Sequence, residues 1–434
     1  MNIQYHVIVM VDVWLPYGKT DVCVRVPARN LFGSINPIQK TGVSDAKVEI
    51  ERALKEPLKS RRLSEIAKPE SKVVIVLDEV ACKSFLSDLI LSVLTELNVA
   101  GVQDKNVTFI FNHDNQGAIK SEECALFGTE VLKRVQIVNH DIKAKDLVYV
   151  GSTKSHGNKV FLNRVFVEAD VRVLLGDVSV HYYAGYSGGR QNVLGVCGIE
   201  TIRHNSVMMF NSNAVAGVLE NNPVHEDMTE IAHMAKIDFI VNVVQNSKGE
   251  IVQAFAGNLD IAFLEAVKLV DEISKVKVDR RADIVVVSAG GHPADVTLYQ
   301  ACKALDNSLD VVKRGGVIVL VAECPKGHGN QVFYDWMTRL TDLKSSEKEI
   351  KRSFALGGHK AYCLLKTLQN HPVILVSSLP EYYASNAFKL KTARAVNDAL
   401  TDAFKLAGST ARVWIIPAGN YTLPEYRAPE ETKT

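Results

Sequence analysis

Short apolar runs that alternate with helix-forming segments constrain the fold of this chain most strongly. Lys72–Leu77 (KVVIVL), Val107–Phe111 and Val135–Val138 each have the composition of a buried strand. The segments between them, 84–97 and 121–134, are predicted to be helices. Strands that alternate with helices in this way predict an α/β fold with a parallel sheet and right-handed crossovers.

The same pattern begins again after the charged segment Lys275–Arg281, with apolar runs such as Ile284–Val287 and Val317–Val321. A chain of 434 residues is also too long for one ordinary hydrophobic core. We therefore predict two domains, residues 1–274 and 275–434. Each is expected to be built on a mostly parallel sheet with helices on both faces.

Composition excludes several classes of protein. Fifty basic residues against 49 acidic ones leave a formal charge of +1, whereas a nucleic-acid or membrane-surface partner would favour a basic excess. The seven cysteines are far apart and none has the CxxC spacing of a zinc or redox site, which fits a reducing compartment. No signal peptide and no run of 18 apolar residues is found, so we expect a cytoplasmic protein.

Polar residues stand just past several of the predicted strands. They are Asp78, His113, His140 and His181. Because the carboxyl ends of parallel strands meet at one edge of a sheet, these residues are expected to share a ligand-binding edge. The alternative for each single histidine is a capping or surface group.

A glycine-rich loop follows the apolar run Val171–Leu175 and begins beside His181. Its residues are Gly185, Tyr186, Ser187, Gly188, Gly189 and Arg190. Glycine lets backbone N–H groups approach a ligand, and an imidazole beside such a loop suits proton transfer. An ordinary turn with a surface histidine is the alternative.

In the second domain, Tyr299, Gln300 and Lys303 lie on a predicted helix, where Tyr299 and Lys303 share one face. A phenol and an ammonium side by side can hold a carboxylate, although a packed tyrosine beside an extended lysine would give the same pattern. The chain has no HExxH, nucleophile-elbow, Walker or GxGxxG motif. The sequence motifs therefore do not favour a hydrolase, a kinase or a Rossmann-type dehydrogenase.

Several motifs together resemble the nickel-dependent lactate racemase family. In chain order they are HYYAGYSGGR, GVLENNPVHEDM, GGHPAD, LYQACK, ECPKGHG and GGHKAY. The resemblance covers roughly residues 70–380, and the motifs occur in the order that the family has.

This resemblance implies a racemase or epimerase of a 2-hydroxy acid, with its active site in the cleft between two domains. The resemblance implies that a nickel-pincer nucleotide accepts a hydride from the α-carbon while one of two histidines takes the hydroxyl proton. By position these acid/base histidines are His113 and His181. The cofactor side is implied to comprise Asp78, Gly185, Ser187, Gly188, Gly189, Arg190 and Gln191. The substrate side is implied to comprise Tyr299, Gln300 and Lys303.

The chain departs from the family pattern at three places. Gln191 stands where the family has a lysine that can be attached to the cofactor, so we expect the nucleotide to be held without a covalent bond. Ser206 follows Asn205 where the family has a nickel-binding histidine, which makes His204 the candidate metal ligand and leaves nickel binding itself open. In the first loop, Ala81-Cys82 replaces an arginine–proline pair.

Two functional hypotheses remain from the sequence. The first is a divergent racemase or epimerase acting on a small 2-hydroxy acid other than lactate. The second is a non-catalytic or nickel-independent nucleotide-binding homologue that uses an NAD-type cofactor or none. We favour the first because two histidines and the Tyr299/Lys303 pair have no packing reason to occur together. Neither the particular acid nor the oligomeric state follows from the sequence.

Overall fold

The computed structural model describes most of the chain. The described residues are 9–77, 85–112, 131, 133–340, 342–353, 355 and 357–428. Of the helices within these ranges, none combines the length and the apolar character that crossing a membrane requires. Asp78, His113 and the pair Ala81-Cys82 lie outside the described residues.

The strands are numbered in chain order. They are β1 (Met10–Tyr17), β2 (Thr20–Pro27), β3 (Leu31–Ser34), β4 (Val73–Leu77), β5 (Val107–Asn112), β6 (Gln136–His140), β7 (Val148–Ser152), β8 (Lys159–Leu162), β9 (Val171–Asp177), β10 (Val180–His181), β11 (Gly185–Tyr186), β12 (Phe239–Gln245), β13 (Ile251–Gly257), β14 (Lys275–Val278), β15 (Ala282–Ser288), β16 (Val312–Val321), β17 (Val373–Val376), β18 (Lys391–Ala393), β19 (Val413–Ile416) and β20 (Leu423–Tyr426).

The α-helices of the described residues are numbered in the same way. They are α1 (Ala46–Lys55), α2 (Leu63–Ile66), α3 (Leu86–Val99), α4 (Arg164–Val167), α5 (Ile199–Val207), α6 (Pro223–Met234), α7 (Leu259–Ser274), α8 (Leu298–Ser308), α9 (Gln331–Arg339), α10 (Leu343–Arg352), α11 (Gly358–Asn370) and α12 (Val396–Ala407).

The described part of residues 39–273 forms one compact unit around a six-stranded sheet. The strand order is β13-β12-β9-β4-β5-β6, and every neighbouring pair is parallel except β12 and β13. All five residues of β4 are buried, which explains its uninterrupted apolar sequence. Leu89 and Val93 of α3 pack in the same core as Ile75 of β4. The predicted parallel sheet is thus confirmed.

The second unit comprises the described part of residues 1–38 together with that of 274–434. Its sheet has the order β18-β17-β16-β15-β19-β3, with all neighbours parallel. Both units therefore have a mostly parallel sheet with accompanying helices, as the sequence predicts.

The first strands of the chain do not pack where the sequence predicts. We expected residues 1–274 to form one domain, but β3 pairs with β19, and the β1–β2 hairpin contributes Leu15 and Val24 to the same core as Val286. Residues 9–38 thus belong with the second unit. The physical reason is pairing with strands almost 400 positions away, which local sequence patterns do not encode.

Candidate active site

Four parallel strands of the first sheet, each ending in or followed in the chain by a residue predicted from the sequence to bind a ligand, end at the same carboxyl edge. Strands β9, β4, β5 and β6 lie side by side and run in the same direction, so Asp177, Leu77, Asn112 and His140 end at one edge. Asp78 and His113 directly follow two of these strands but lie outside the described residues. His181 is described, and it stands in the short β10–β11 hairpin that follows β9.

His181 is a half-buried residue whose ring has a defined orientation. Its Nδ1 accepts hydrogen bonds from the backbone N–H groups of Ala184 at 3.2 Å and Tyr183 at 3.4 Å. The ring stacks on Tyr182 with a centroid distance of 4.6 Å and an interplanar angle of 20°. Because Nδ1 is an acceptor, the neutral ring carries its proton on Nε2.

His140 has a structural role at this edge. Its Nε2 lies 2.8 Å from the carbonyl of Cys197, and its Nδ1 lies 3.2 Å from the amide nitrogen of Asn163. The imidazole is 6 % exposed, and burial lowers its pKa. A neutral histidine bound at both nitrogens holds the segment around Cys197 and is not available for proton transfer.

Arg190 is buried beneath the glycine-rich loop. Its Nη1 donates to the carbonyls of Tyr186 at 2.7 Å and Gly188 at 3.1 Å, and its Nη2 donates to the carbonyl of Ala184 at 2.9 Å. Its Nε donates to Nδ1 of His225 at 2.9 Å. The side chain is 1 % exposed, so Arg190 binds its own loop, whereas the resemblance implied a contact with the cofactor.

Burial lowers the pKa of both groups in this pair. It lowers the pKa of Arg190 to about 9, which still leaves the guanidinium charged at neutral pH. Burial, and after it the charge of Arg190, lowers the pKa of His225 to about 3. His225 is therefore a neutral acceptor. It is not among the site residues predicted from the sequence, although it lies within the GVLENNPVHEDM motif.

The loop glycines are required by packing against the protein itself. A Cβ at Gly185 would lie 2.3 Å from the carbonyl oxygen of Val218, and one at Gly188 would lie 2.5 Å from that of Asp177. Both glycines have positive φ angles, 78° and 75°.

Several N–H groups of this loop already have partners within the protein. The N–H of Ser187 donates to Ser179, that of Gly189 to Oδ1 of Asn242, and that of Gln191 to Gly188. These three N–H groups are therefore not directed at a phosphate, contrary to the simplest expectation for a glycine-rich loop.

The candidate metal ligand His204 lies on the wrong face of its helix. Ser206 is buried, whereas His204 is exposed and its Nε2 contacts the carbonyl of His156 at 3.1 Å. Two positions on an α-helix differ by about 200°, and α5 is regular from 199 to 207, so His204 does not replace a ligand at position 206. Within the described ranges, no group of three or more His, Cys, Asp or Glu side chains is placed to hold a metal ion.

The substrate-side residues Tyr299, Gln300 and Lys303 lie in the first turns of α8. Thr297 caps this helix, since its hydroxyl oxygen accepts from the N–H of Gln300 at 3.3 Å. The N–H groups of Leu298 and Tyr299 donate to the carbonyls of Gly327 and His328. These two backbone hydrogen bonds connect the helix of the LYQACK motif to the segment of the ECPKGHG motif.

The GGHKAY motif reaches the same helix from α11. His359 Nε2 lies 3.5 Å from the hydroxyl of Tyr299, and Lys360 Nζ lies 3.2 Å from Oδ2 of Asp306. Burial and the neighbouring Lys360 lower the pKa of His359 to about 3, and burial raises the pKa of Asp306. His359, Lys360 and Asp306 are not among the predicted site residues. Membership of the GGHKAY motif was the signal available for His359 and Lys360, whereas Asp306 lies outside the quoted motifs.

Comparison with known proteins extends the resemblance to nearly the whole chain. The family model of the lactate racemase N-terminal domain matches residues 17–217, and that of the lactate racemase C-terminal domain matches residues 276–422. A lactate racemase from Thermoanaerobacterium thermosaccharolyticum is 32% identical over 422 residues, which cover 94% of this chain and 98% of that protein. The chain belongs to the lactate racemase family. The lactate racemase of Lactiplantibacillus plantarum is 28% identical over 424 residues, covering 94% and 99% of the two chains.

Solved structures agree with this family membership. The lactate racemase apoprotein from T. thermosaccharolyticum matches with a TM-score of 0.85 at 30% identity, covering 96% of this chain and 100% of the other. A protein from Thermotoga maritima matches with a TM-score of 0.64 at 18% identity, which shows the fold alone. As a member of the lactate racemase family, this protein is an isomerase.

The family uses a nickel-type cofactor, and the residues of this chain fit a covalently attached form poorly. Gln191 offers an amide, and its Oε1 is buried without a hydrogen-bond partner in the described part of the chain. Ser206 offers a hydroxyl, a weak ligand for nickel compared with imidazole. The residues that the resemblance implies as covalent anchor and as metal ligand are thus absent from positions 191 and 206.

Proposed function

We propose that this protein is a racemase or epimerase of a small 2-hydroxy acid, with His113 and His181 as its two acid/base groups. The main support for this proposal is the position of β5 and β9, the strands that precede these histidines. They run in the same direction with only β4 between them. Two strand spacings separate them by about 10 Å, which leaves room for a small substrate between two bases.

Two bases suit a reaction that inverts one carbon. Loss of the hydroxyl proton to an imidazole and of the α-hydride to an acceptor converts a 2-hydroxy acid into a 2-keto acid. Return of the hydride to the opposite face of the planar carbonyl carbon, and of a proton to its oxygen, gives the other enantiomer, so each enantiomer needs a base on its own side. His181 takes a proton at Nδ1 only when the hydrogen bond from the Ala184 N–H breaks.

The hydride acceptor is proposed to be a nucleotide held without a covalent bond. A pincer nucleotide is the first candidate and NAD the second. The neutral amide of Gln191 supports the non-covalent arrangement, and Ser206 supports weak nickel binding or none. The guanidinium of Arg190 already donates hydrogen bonds to carbonyls of its own loop. We therefore propose that other residues compensate the negative charge of the nucleotide.

The carboxylate of the substrate is proposed to bind Tyr299, Gln300 and Lys303. These side chains lie on a helix whose first turn is fixed by Thr297 and by the carbonyls of Gly327 and His328. An ammonium and a phenol on one rigid helical face supply charge-assisted hydrogen bonds of the kind a carboxylate requires.

Chiral analysis of the natively purified protein tests this function. Single enantiomers of a series of 2-hydroxy acids are incubated with wild type, His113→Ala, His181→Ala and the double variant. We expect wild type to interconvert the enantiomers of at least one acid, and each variant to lose about 10²–10⁴-fold in rate. His233→Ala, an exposed histidine paired with Asp260, is the control that keeps the rate.

Two outcomes contradict the proposal. If no acid is interconverted by the native protein, the nucleotide-binding homologue without turnover becomes the better description. If the double variant interconverts enantiomers as fast as wild type, the two histidines are not the acid/base groups.

A further inference from the structure

Ala184 connects His181 to the buried arginine of the loop. Its N–H donates to Nδ1 of His181 at 3.2 Å, and its carbonyl accepts from Nη2 of Arg190 at 2.9 Å. The backbone of Ala184 thus lies between the imidazole of His181 and the guanidinium of Arg190. Any displacement of Arg190 moves the group that orients His181.

Arg190 is itself fixed from several directions. Its remaining contacts are the carbonyls of Tyr186 and Gly188, Nδ1 of His225, and the ring of Phe263, whose centroid lies 4.3 Å from the guanidinium carbon. A planar guanidinium with this many partners has one orientation available, which an ammonium could not reproduce.

His225 completes the chain of contacts. It lies on α6, its Nδ1 faces Nε of Arg190, and its ring stacks on Phe263 with a centroid distance of 6.2 Å. Thr229, one turn later, donates to the carbonyl of His225 and so supports the same turn of helix. An imidazole that accepts at Nδ1 must carry its own proton at Nε2.

We propose that Arg190 and His225 are positioning residues, which fix the ring orientation and the Nε2-protonated tautomer of His181 through Ala184. The effect on turnover rests on the proposed function, since it requires His181 to be an acid/base group. The effect on the tautomer does not, because it follows from the hydrogen bonds alone.

Substitutions at His225 separate positioning from general stability. His225→Leu removes the acceptor for Arg190, whereas His225→Asn restores an oxygen near the position of Nδ1. Thr153→Val is the matched control, because it removes a buried hydrogen bond of 2.9 Å to Asp227 on the same helix without touching Ala184. Arg190→Lys keeps the positive charge but lacks the planar guanidinium with its several N–H donors. This variant replaces His225→Leu in the comparison if His225→Leu does not fold.

The readouts are the imidazole ¹⁵N chemical shifts of His181, assigned with a His181→Gln variant, and kcat against KM. In wild type, His225→Asn and Thr153→Val, we expect a shift typical of an unprotonated, hydrogen-bonded Nδ1. In His225→Leu and Arg190→Lys, we expect a mixture of tautomers and at least a tenfold change in kcat, with KM changed less than threefold.

Unchanged ¹⁵N shifts of His181 in folded His225→Leu or Arg190→Lys overturn the proposal. Failure of His225→Asn to restore them overturns it as well, since the acceptor would then not be what matters. If the protein racemises no 2-hydroxy acid, the proposed function fails while the ¹⁵N shifts still decide the positioning role.

Discussion

Gln191 and Arg190 are neighbours in the chain, yet the structure gives them different relations to the expected cofactor. The guanidinium of Arg190 is directed into the protein, where three carbonyls of the loop and His225 surround it. The Gln191 amide keeps a buried oxygen without a partner among the described residues. At the scale of single residues, Arg190 of the GGR motif therefore has a packing role, and we propose that position 191 decides how a nucleotide is attached.

Mass spectrometry tests the consequence for Gln191. An amide nitrogen is not nucleophilic, so wild type loaded with a pincer nucleotide is expected to give the bare polypeptide mass under denaturing conditions. Native spectra are expected to show the additional nucleotide. Gln191→Lys restores the amine and is the control in which an adduct can form. A wild-type adduct that survives denaturation would refute non-covalent binding.

The short β10–β11 hairpin is the element on which the site depends. It follows β9, places His181 opposite Gly185, and continues into the loop that Arg190 holds together. Gly185 permits this hairpin because its positive φ and its close approach to Val218 leave no space for a side chain. A hairpin of this size depends on contacts outside itself for its stability.

Two glycine-to-alanine variants measure that dependence. Gly157, in the turn before β8, also has a positive φ, 66°, but a Cβ added there would meet no atom within 4 Å. Gly157→Ala is expected to cost about 1 kcal/mol of unfolding free energy from backbone strain. Gly185→Ala is expected to cost about 1–3 kcal/mol more, because of the added overpacking. Equal losses in urea denaturation would show that Gly185 is not sterically constrained.

At the scale of the whole molecule, each unit contains a histidine whose pKa is lowered by burial, His225 being half-buried and His359 buried. His225 lies in residues 39–273, and His359 lies in the other unit. Burial and a neighbouring cation lower the pKa of each to about 3 from an ordinary value of 6.5. Between these values an unfolded chain binds a proton at each histidine and the folded chain does not.

Acid is therefore expected to destabilise both units. As pH falls from 6.5 towards 3, the unfolding free energy should decrease by about 1.4 kcal/mol per pH unit for each histidine. Urea denaturation between pH 7 and pH 5 measures this slope. His359→Asn should reduce this slope by the contribution of one histidine, about 1.4 kcal/mol per pH unit. An unchanged slope in that variant would show that His359 is not kept neutral in the folded protein.

Much of the architecture could be predicted from local sequence patterns. The alternation of apolar runs and helical segments determined the parallel sheets, because burial of strands and amphipathic helices imposes those periods directly. The order of the motifs determined the family, and strand ends indicated which polar residues meet at one edge. These properties depend on residues that are close together in the chain, or on the general geometry of parallel sheets.

Only the tertiary structure decided which partners the distant residues have. Residues 9–38 joined the second unit because β3 pairs with β19. His204 faced away from position 206 because α5 remains a regular helix, and Arg190 turned inward because His225, 35 positions later, supplies an acceptor. Hydrogen bonds and packing between such residues depend on where the whole chain places them. The sequence by itself therefore predicted where the site lies, and the tertiary contacts determined which partners the described side chains have.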